Sequence, residues 1–373
     1  MKKVIEHPSK FIDKKWTDAI ARFAMEAEQL GDLHPDQLAI IHSCHWLKMF
    51  VPKVYGGLEL SLAEGVRIEE CLSWADGSTA WMVTLCGGAA WFVGFLPSDV
   101  AKEVFENDMV CFAGSGAPNG IAHVIENGYE VTGNWKYASG SLHATVFTAN
   151  CVITEDGVPL LKADGTPVIQ SFLFKKDEVT LNKSWHGMGM IATGSHEFSV
   201  NKLHLPPNRR FIIEANHAVL KQPLYQYPFL QLAETTLTAN LSGMAVRFMD
   251  LCEPLFEDRI KYKQYDKETA AFLRRRLFEA RNTMNECRHV FYDRLEASWD
   301  IVQREKNIPD HILNRVSDSS RALAQTSRLV IDELYQYCGL IAANSETEIN
   351  RVWRNFHTAC QHDLFIRQNL FDL

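Results

Sequence analysis

The chain has 373 residues, 46% hydrophobic and 23% charged, with a formal net charge of −8; more than one structural unit is expected, because single cores rarely grow past about 250–300 residues. That balance excludes a disordered chain and offers nucleic acid no general attraction. Nine cysteines, odd in number and without a CxxC pair, argue against a disulfide framework and for reduced, mostly buried thiols in a cytoplasmic protein.

Met1 to Ser9 is basic but leads into no unbroken apolar run, so neither a secretory signal nor a membrane span of about 20 apolar residues is expected. To about residue 110 the pattern is helical. Trp16, Ile20, Phe23, Ala27 and Leu30 recur at helical spacing, and Gly31 supplies a stop. Pro35 opens the next helix, with Leu38 and Ile41 on its apolar side. Beyond a loop from Val51 to Gly57, two further helices are predicted over Leu62 to Leu72 and Ser78 to Phe95. The second is apolar nearly all round, as a buried helix would be.

The period then changes. Val124 to Glu126, Asn127-Gly128 and Tyr129 to Val131 predict a hairpin with Asn-Gly in its turn. Asp156-Gly157 and Asp164-Gly165 add turns between strand-like stretches at Thr145 to Thr154 and Val168 to Lys175, and Phe198 to Leu205 continues the β character. An antiparallel sheet or barrel of about 100 residues is the natural expectation. From about residue 216 the chain returns to helix. Leu323, Thr326, Val330, Leu334 and Tyr337 form a stripe, preceded by Ser317 to Ser320 as a start signal and stopped near Gly339. The division is thus 1–110 helical, 111–215 β, and 216–373 helical.

Among candidate motifs, Gly114-Ser115-Gly116 and Gly187-Met188-Gly189 lack the strand-then-helix context of a dinucleotide fingerprint. His42 with His45, and His357 with Cys360 and His362, lack the further ligands a zinc site needs, so no metal is expected. Ser139 and Ser195 adjoin glycine, but neither has a GxSxG frame. Arg274-Arg275-Arg276 reads as a solvated helix face. Composition and spacing alone yield an α+β protein with helices flanking a sheet and a ligand site, and no cofactor.

Several stretches, collinear over most of the chain, resemble the acyl-CoA dehydrogenase superfamily. Pro52 to Gly57 is similar to its Pro-x-x-Tyr-Gly-Gly loop, and Asp76 to Trp81 to the helix start that follows. Ala113 to Pro118 occupies the place of a first flavin-contacting strand, and Gly128 to Gly140 that of a second flavin-contacting motif; Cys111 to Phe211 carries most of the likeness. Trp135 to Gly140 with His143, Trp185 to His196, and Arg351 to His357 with His362 are closest to the oxygenase components of two-component flavin-dependent monooxygenases. Asn355 stands where those oxygenases usually have aspartate, which puts an ion-pair role there in question. The Glu-Gly-Thr segment of true dehydrogenases has no counterpart after Arg354, and their Arg-x-x-Phe-Gly segment is not evident between Asp258 and Phe278. Glu234 is the remaining candidate base, although a carboxylate at a helix start has a plainer explanation in the helix dipole.

The resemblance implies an N-terminal helical domain, a central antiparallel β-domain and a C-terminal four-helix bundle. It implies reduced flavin, FAD or FMN, taken from a separate reductase and used with O2 to hydroxylate an aromatic or similar apolar small molecule. Ser139 would donate a hydrogen bond at the flavin ring, and His362 would serve as base or donor near neutral pH. Gly114, Ser115, Gly116, Trp135, Tyr137, Gly140, Thr193 and Arg354 would contact the cofactor. Trp81, Trp91, Phe92, His143 and His357 would line a dry substrate pocket. A homotetramer built through the C-terminal bundle, with no membrane partner, is implied as well. The alternatives are an acyl-CoA dehydrogenase acting on a thioester, and a non-catalytic flavin-binding homologue.

Overall fold

A computed structural model describes residues 5–305 and 307–365; Met1 to Val4 of the basic N-terminal stretch and residues 366–373 at the end of the last region lie outside them. Five helices come first: α1 (Lys14–Leu30), α2 (Pro35–Ser43), α3 (Leu62–Ala75), α4 (Gly77–Ala90) and α5 (Ser98–Phe105). Gly31, in the left-handed region, ends α1. A capping box between Ser61 and Glu64 starts α3. The Asp76 carboxylate caps α4 by accepting from the Thr79 amide at 2.9 Å and its hydroxyl at 2.7 Å. The helix expected to run from Ser78 to Phe95 changes to a 3-10 turn over Trp91–Phe95. The stretch Gly77–Phe95 is long and apolar enough to cross a membrane, and 78% of its most apolar window is buried inside the protein.

The middle of the chain forms β1 (Phe112–Ile125), β2 (Gly128–Ala138), β3 (Val146–Glu155), β4 (Val158–Pro159), β5 (Ile169–Lys175), β6 (Thr180–Asn182), β7 (His196–Leu205) and β8 (Arg210–Phe211). The sheet is open, in the order β6-β7-β2-β1-β3-β5-β8, with β4 paired to β3. It is mixed rather than wholly antiparallel, because β1 and β3 run parallel. The link from Ser139 to Thr145 steps over the start of β1 and delivers β3 to its far side, so β3 must share β1's direction. The hairpin turn also sits one residue earlier than expected. Ile125 pairs with Gly128, leaving Glu126 and Asn127 as the turn. Gly128 has φ +147°, and a Cβ there would lie 2.0 Å from the Leu205 carbonyl oxygen of β7. Its glycine therefore answers to strand packing, not to a primed turn. Asp156-Gly157 does form the expected two-residue turn, with both residues left-handed.

Helices resume with α6 (Pro223–Gln226), α7 (Phe229–Tyr262), α8 (Lys267–Glu305), α9 (Asp310–Cys338) and α10 (Glu348–Ala359). Ser317 to Ser320, expected as a start signal, lie inside α9, where the Ser319 and Ser320 hydroxyls return to the Val316 carbonyl. The helices before and after the sheet share one continuous apolar core, while the sheet has a second core built on Trp135, Phe147, Phe172, Phe174 and Phe198. Helix α4 belongs to the first core and abuts the end of the sheet, which puts its surface at the junction of the two.

Candidate active site

Two irregularities shape the sheet's end. In β1, Ser115 still pairs with β3, but Gly116 to Asn119 fall outside the register with either neighbour and are exposed. The Gly116 carbonyl accepts from the Asn150 side-chain amide at 2.8 Å, and backbone outside the ladder at a sheet rim is a ready partner for a ligand's polar edge. In β2, pairing to β7 slips between Trp135 and Ala138. Within that slip Tyr137 takes φ +66° and stands 67% exposed, its ring edge-on to Trp185 at 6.1 Å. A left-handed tyrosine is costly and uncommon, and marks a place where the backbone is held for a purpose.

The slip turns the next residues toward α4. Gly140 has φ +75°, and a Cβ there would meet the Cys86 Sγ of α4 at 2.4 Å, so both conformation and space demand glycine. The Cys86 thiol donates to the Ser139 carbonyl at 3.5 Å. Ser139 Oγ lies 2.8 Å from Ser195 Oγ, and Ser195 Oγ lies 2.6 Å from Thr193 Oγ1. Thr193 Oγ1 in turn donates to the Met190 carbonyl at 2.7 Å. All three hydroxyls are buried.

The segment carrying Thr193 and Ser195 is tied down on both sides. His196 Nδ1 accepts from the Ser184 and Trp185 amides, each at 3.1 Å, so that nitrogen carries no proton; burial holds the imidazole below its usual pKa. Asn355 of α10, almost fully buried, accepts from the Met190 amide at 2.6 Å. A neutral amide meets that need without burying a charge, which accounts for asparagine at this position. Arg354 spends its guanidinium on Asn350 Oδ1 at 2.7 Å, the Met188 carbonyl at 2.7 Å and the Glu28 carboxylate of α1 at 2.6 Å.

Of the residues expected at a site, Ser115, Gly116, Tyr137, Ser139, Gly140 and Thr193 gather at this end of the sheet, with Gly114 packed against Thr148 behind them. Trp81 of α4 stands nearby, its ring 5.9 Å from that of His362, whose burial keeps its pKa below the ordinary histidine value. Others lie elsewhere. Trp135 is fully enclosed in the sheet core, its indole donating to the Asn150 carbonyl. Trp91 and Phe92 lie at the far end of α4, roughly 15 Å from Trp81 at helical rise. There Trp91 lines a cavity of about 340 Å³ with Phe95, Tyr227 and Phe229. His357 packs on Trp353 and faces Asp332 of α9 at 3.2 Å. His143 pairs with Asp32 of the α1–α2 connection at 2.6 Å. Glu234 accepts from the Ser317 hydroxyl at 2.5 Å between α7 and α9. Ser195, Trp185 and Asn355 were not singled out as site residues from sequence; for Ser195 the run Thr193-Gly194-Ser195, two hydroxyls either side of a glycine, was the available signal. Among the described residues no group of three His, Cys, Asp or Glu side chains is placed to hold a metal ion.

A flat heteroaromatic ring with donors and acceptors along its edge fits what is present. Backbone outside the ladder, the buried Ser139 hydroxyl and the edge-on Tyr137–Trp185 pair lie at one end of the sheet, and nothing lies within 4 Å of where a Gly116 Cβ would stand.

Residues 235–367 match the family described as acyl-CoA dehydrogenase, C-terminal domain. Indole-3-acetate monooxygenase of Pseudomonas putida is 24% identical over 320 residues, covering 84% of this chain and 79% of that protein. The oxygenase subunit HsaA, a flavin-dependent monooxygenase of Mycobacterium tuberculosis, is 25% identical over 350 residues, 91% of this chain and 87% of its own length. The crystal structure of HsaA from M. tuberculosis superposes with a TM-score of 0.87 at 23% identity, covering 96% and 95% of the two chains. XiaF from Streptomyces sp., solved in complex with FADH2 and glycerol, gives 0.84 at 21% identity over 98% and 93%.

Proposed function

We propose, for a chain that carries an acyl-CoA dehydrogenase C-terminal domain on an acyl-CoA dehydrogenase-like fold and is homologous to oxygenase components of flavin-dependent monooxygenases, that it is itself such an oxygenase. It takes reduced flavin from a separate reductase and hydroxylates an aromatic or similar apolar small molecule with O2. The observation that carries this reading is that β1 backbone outside the ladder, the Ser139 hydroxyl and the Tyr137–Trp185 ring pair all lie at one end of the sheet. When bound, reduced flavin supplies the two electrons that let one oxygen atom of O2 enter the substrate while the other leaves as water.

The chain's own groups do the rest. Backbone around Gly114 to Gly116 orients the ring edge, and the Ser139 hydroxyl holds a hydrogen bond at a ring nitrogen. His362, kept neutral by burial, is the group that takes or returns a proton near pH 7. Trp81 and its neighbours on α4 exclude water, which would otherwise release the activated oxygen unproductively. Arg354 and Asn355 act at one remove, by fixing the segment that carries Thr193 and Ser195. The cofactor is FAD or FMN. Exposed Phe278, Leu329 and Leu340 supply apolar surface for subunit contacts, in keeping with a cytoplasmic homotetramer. Glu348, the carboxylate on α10, is paired with Arg247, and Glu234 is engaged with Ser317, which disfavours a dehydrogenase.

Stopped-flow absorbance of the protein loaded with reduced FAD or FMN, mixed with oxygenated buffer, tests the reading. A transient spectrum unlike either reduced or oxidised flavin, lasting seconds, is the expected result. Tight oxidised FAD that bleaches anaerobically with an acyl-CoA would replace it with the dehydrogenase reading, and no flavin affinity in either redox state would leave a non-catalytic homologue.

A further inference from the structure

The three hydroxyls of Ser139, Ser195 and Thr193 form a chain whose direction is not settled by its surroundings. Each hydroxyl has one proton to give and lone pairs to receive. With the Thr193 proton on the Met190 carbonyl, Ser195 gives to Thr193 and Ser139 gives to Ser195. Ser139 then faces the site as an acceptor. With the Thr193 proton turned to Ser195, Ser195 gives to Ser139, and Ser139 faces the site as a donor. Both O···O separations, 2.8 and 2.6 Å, serve either direction.

The turning point is the Met190 carbonyl. It also accepts from the Trp185 indole N–H at 2.8 Å and from the Thr193 amide at 3.2 Å. A carbonyl oxygen has two lone pairs, so those two donors satisfy it when the Thr193 hydroxyl turns away. Met190 itself is held at φ +53° and its amide is gripped by Asn355, so this acceptor stays in place in both states. All three hydroxyls are buried, which denies water the chance to substitute for a missing partner.

We infer that Ser195 and Thr193 are positioning residues that let Ser139 switch between donor and acceptor as the flavin changes redox state. A flavin ring nitrogen that carries N–H when reduced presents a bare lone pair when oxidised. An acceptor Ser139 matches the first, and a donor Ser139 matches the second. No proton is transferred along the chain: each hydroxyl keeps its own and rotates. The inference rests on the flavin reading and adds to it the means by which one serine serves both redox states.

The reduced state needs the whole chain, because Ser195 must pass its proton to Thr193; the oxidised state does not. Thr193→Val removes that acceptor and strands the Ser195 proton in the reduced state alone. Dissociation constants for oxidised and dithionite-reduced FAD and FMN, measured anaerobically by ultrafiltration, read this directly. For whichever flavin the parent binds, Thr193→Val should weaken the reduced form about tenfold relative to the oxidised form, raising no other partner's demand. Ser195→Ala should shift the ratio in the same direction, and Thr193→Ser should keep the parental ratio. Equal weakening of both redox states, or a Thr193→Ser variant that behaves like Thr193→Val, overturns the switch while leaving the flavin reading standing. A parent chain that binds neither form overturns both.

Discussion

In the helical body, Glu70 of α3 and Arg288 of α8 are nearly inaccessible, and each polar atom of the Glu70 carboxylate is committed. Arg288 donates to its two oxygens at 2.7 and 2.9 Å, Ser242 to one at 2.5 Å and Tyr292 to the other at 2.8 Å. Burial works against ionisation there, but the Arg288 guanidinium and the two hydroxyls more than offset it, holding the carboxyl below its usual range. At the sheet's end, Ser139, Ser195 and Thr193 are also buried, yet they are neutral and their protons have two ways to point. Fixed charges bonded on every side lock α3, α7 and α8 together. The hydroxyls at the sheet's end can reverse direction without any charge being buried. The Glu70 cluster and the site thus differ in whether their buried bonds are fixed by charge or reversible in direction.

The largest effect should come from breaking the saturated cluster. Arg288→Ala leaves the Glu70 carboxylate buried without its counter-charge, and a loss of about 3–5 kcal/mol is expected in urea unfolding. A loss below about 1 kcal/mol would show that the cluster is not the lock described.

Next comes Glu69, whose position beside Glu70 sharpens the contrast. It is fully buried, burial pushes it up to about 8, and neither carboxyl oxygen has a hydrogen bond among the described residues. Because its folded pKa lies above the unfolded value of 4.5, the folded chain keeps the proton while the unfolded chain releases it. Stability should therefore fall as pH rises from about 5 to 8, by on the order of 3 kcal/mol. Glu69→Gln should abolish this component, so that unfolding midpoints of parent and variant diverge toward pH 8. Parallel pH profiles would refute it.

The smallest effect on stability, but one placed at the site, is expected from Gly140→Ala. Its positive φ and the 2.4 Å approach to Cys86 Sγ should cost about 1–3 kcal/mol. Flavin retention should drop more than stability does, because the same strain moves Ser139; retention unchanged at parental level would separate Gly140 from the site.

Much of the architecture was legible from local chemistry. Helical periodicity, the Gly31 stop and the Asp156-Gly157 turn depend only on residues within a turn or two of one another, and the helix–sheet–helix order follows from them. The Gly114 to Gly116 and Ser139-Gly140 segments were singled out by their likeness to known motifs, and the fold brings them to one end of the sheet. What tertiary structure alone decided was pairing over long separations. The parallel β1–β3 contact depends on which side of β1 the Ser139–Thr145 link delivers the chain, and the position of the first hairpin turn depends on the approach of Leu205. Trp81 on α4 and Trp91 in the 3-10 turn just past its end lie at different ends of the molecule, because α4 spans from the sheet to the bundle. The meeting of Ser139 with Ser195, 56 residues apart, depends on a register slip in β2 and on α10 gripping the Met190 segment. No periodicity in the sequence encodes a register slip, since the energy that selects it comes from partners the local sequence does not contain.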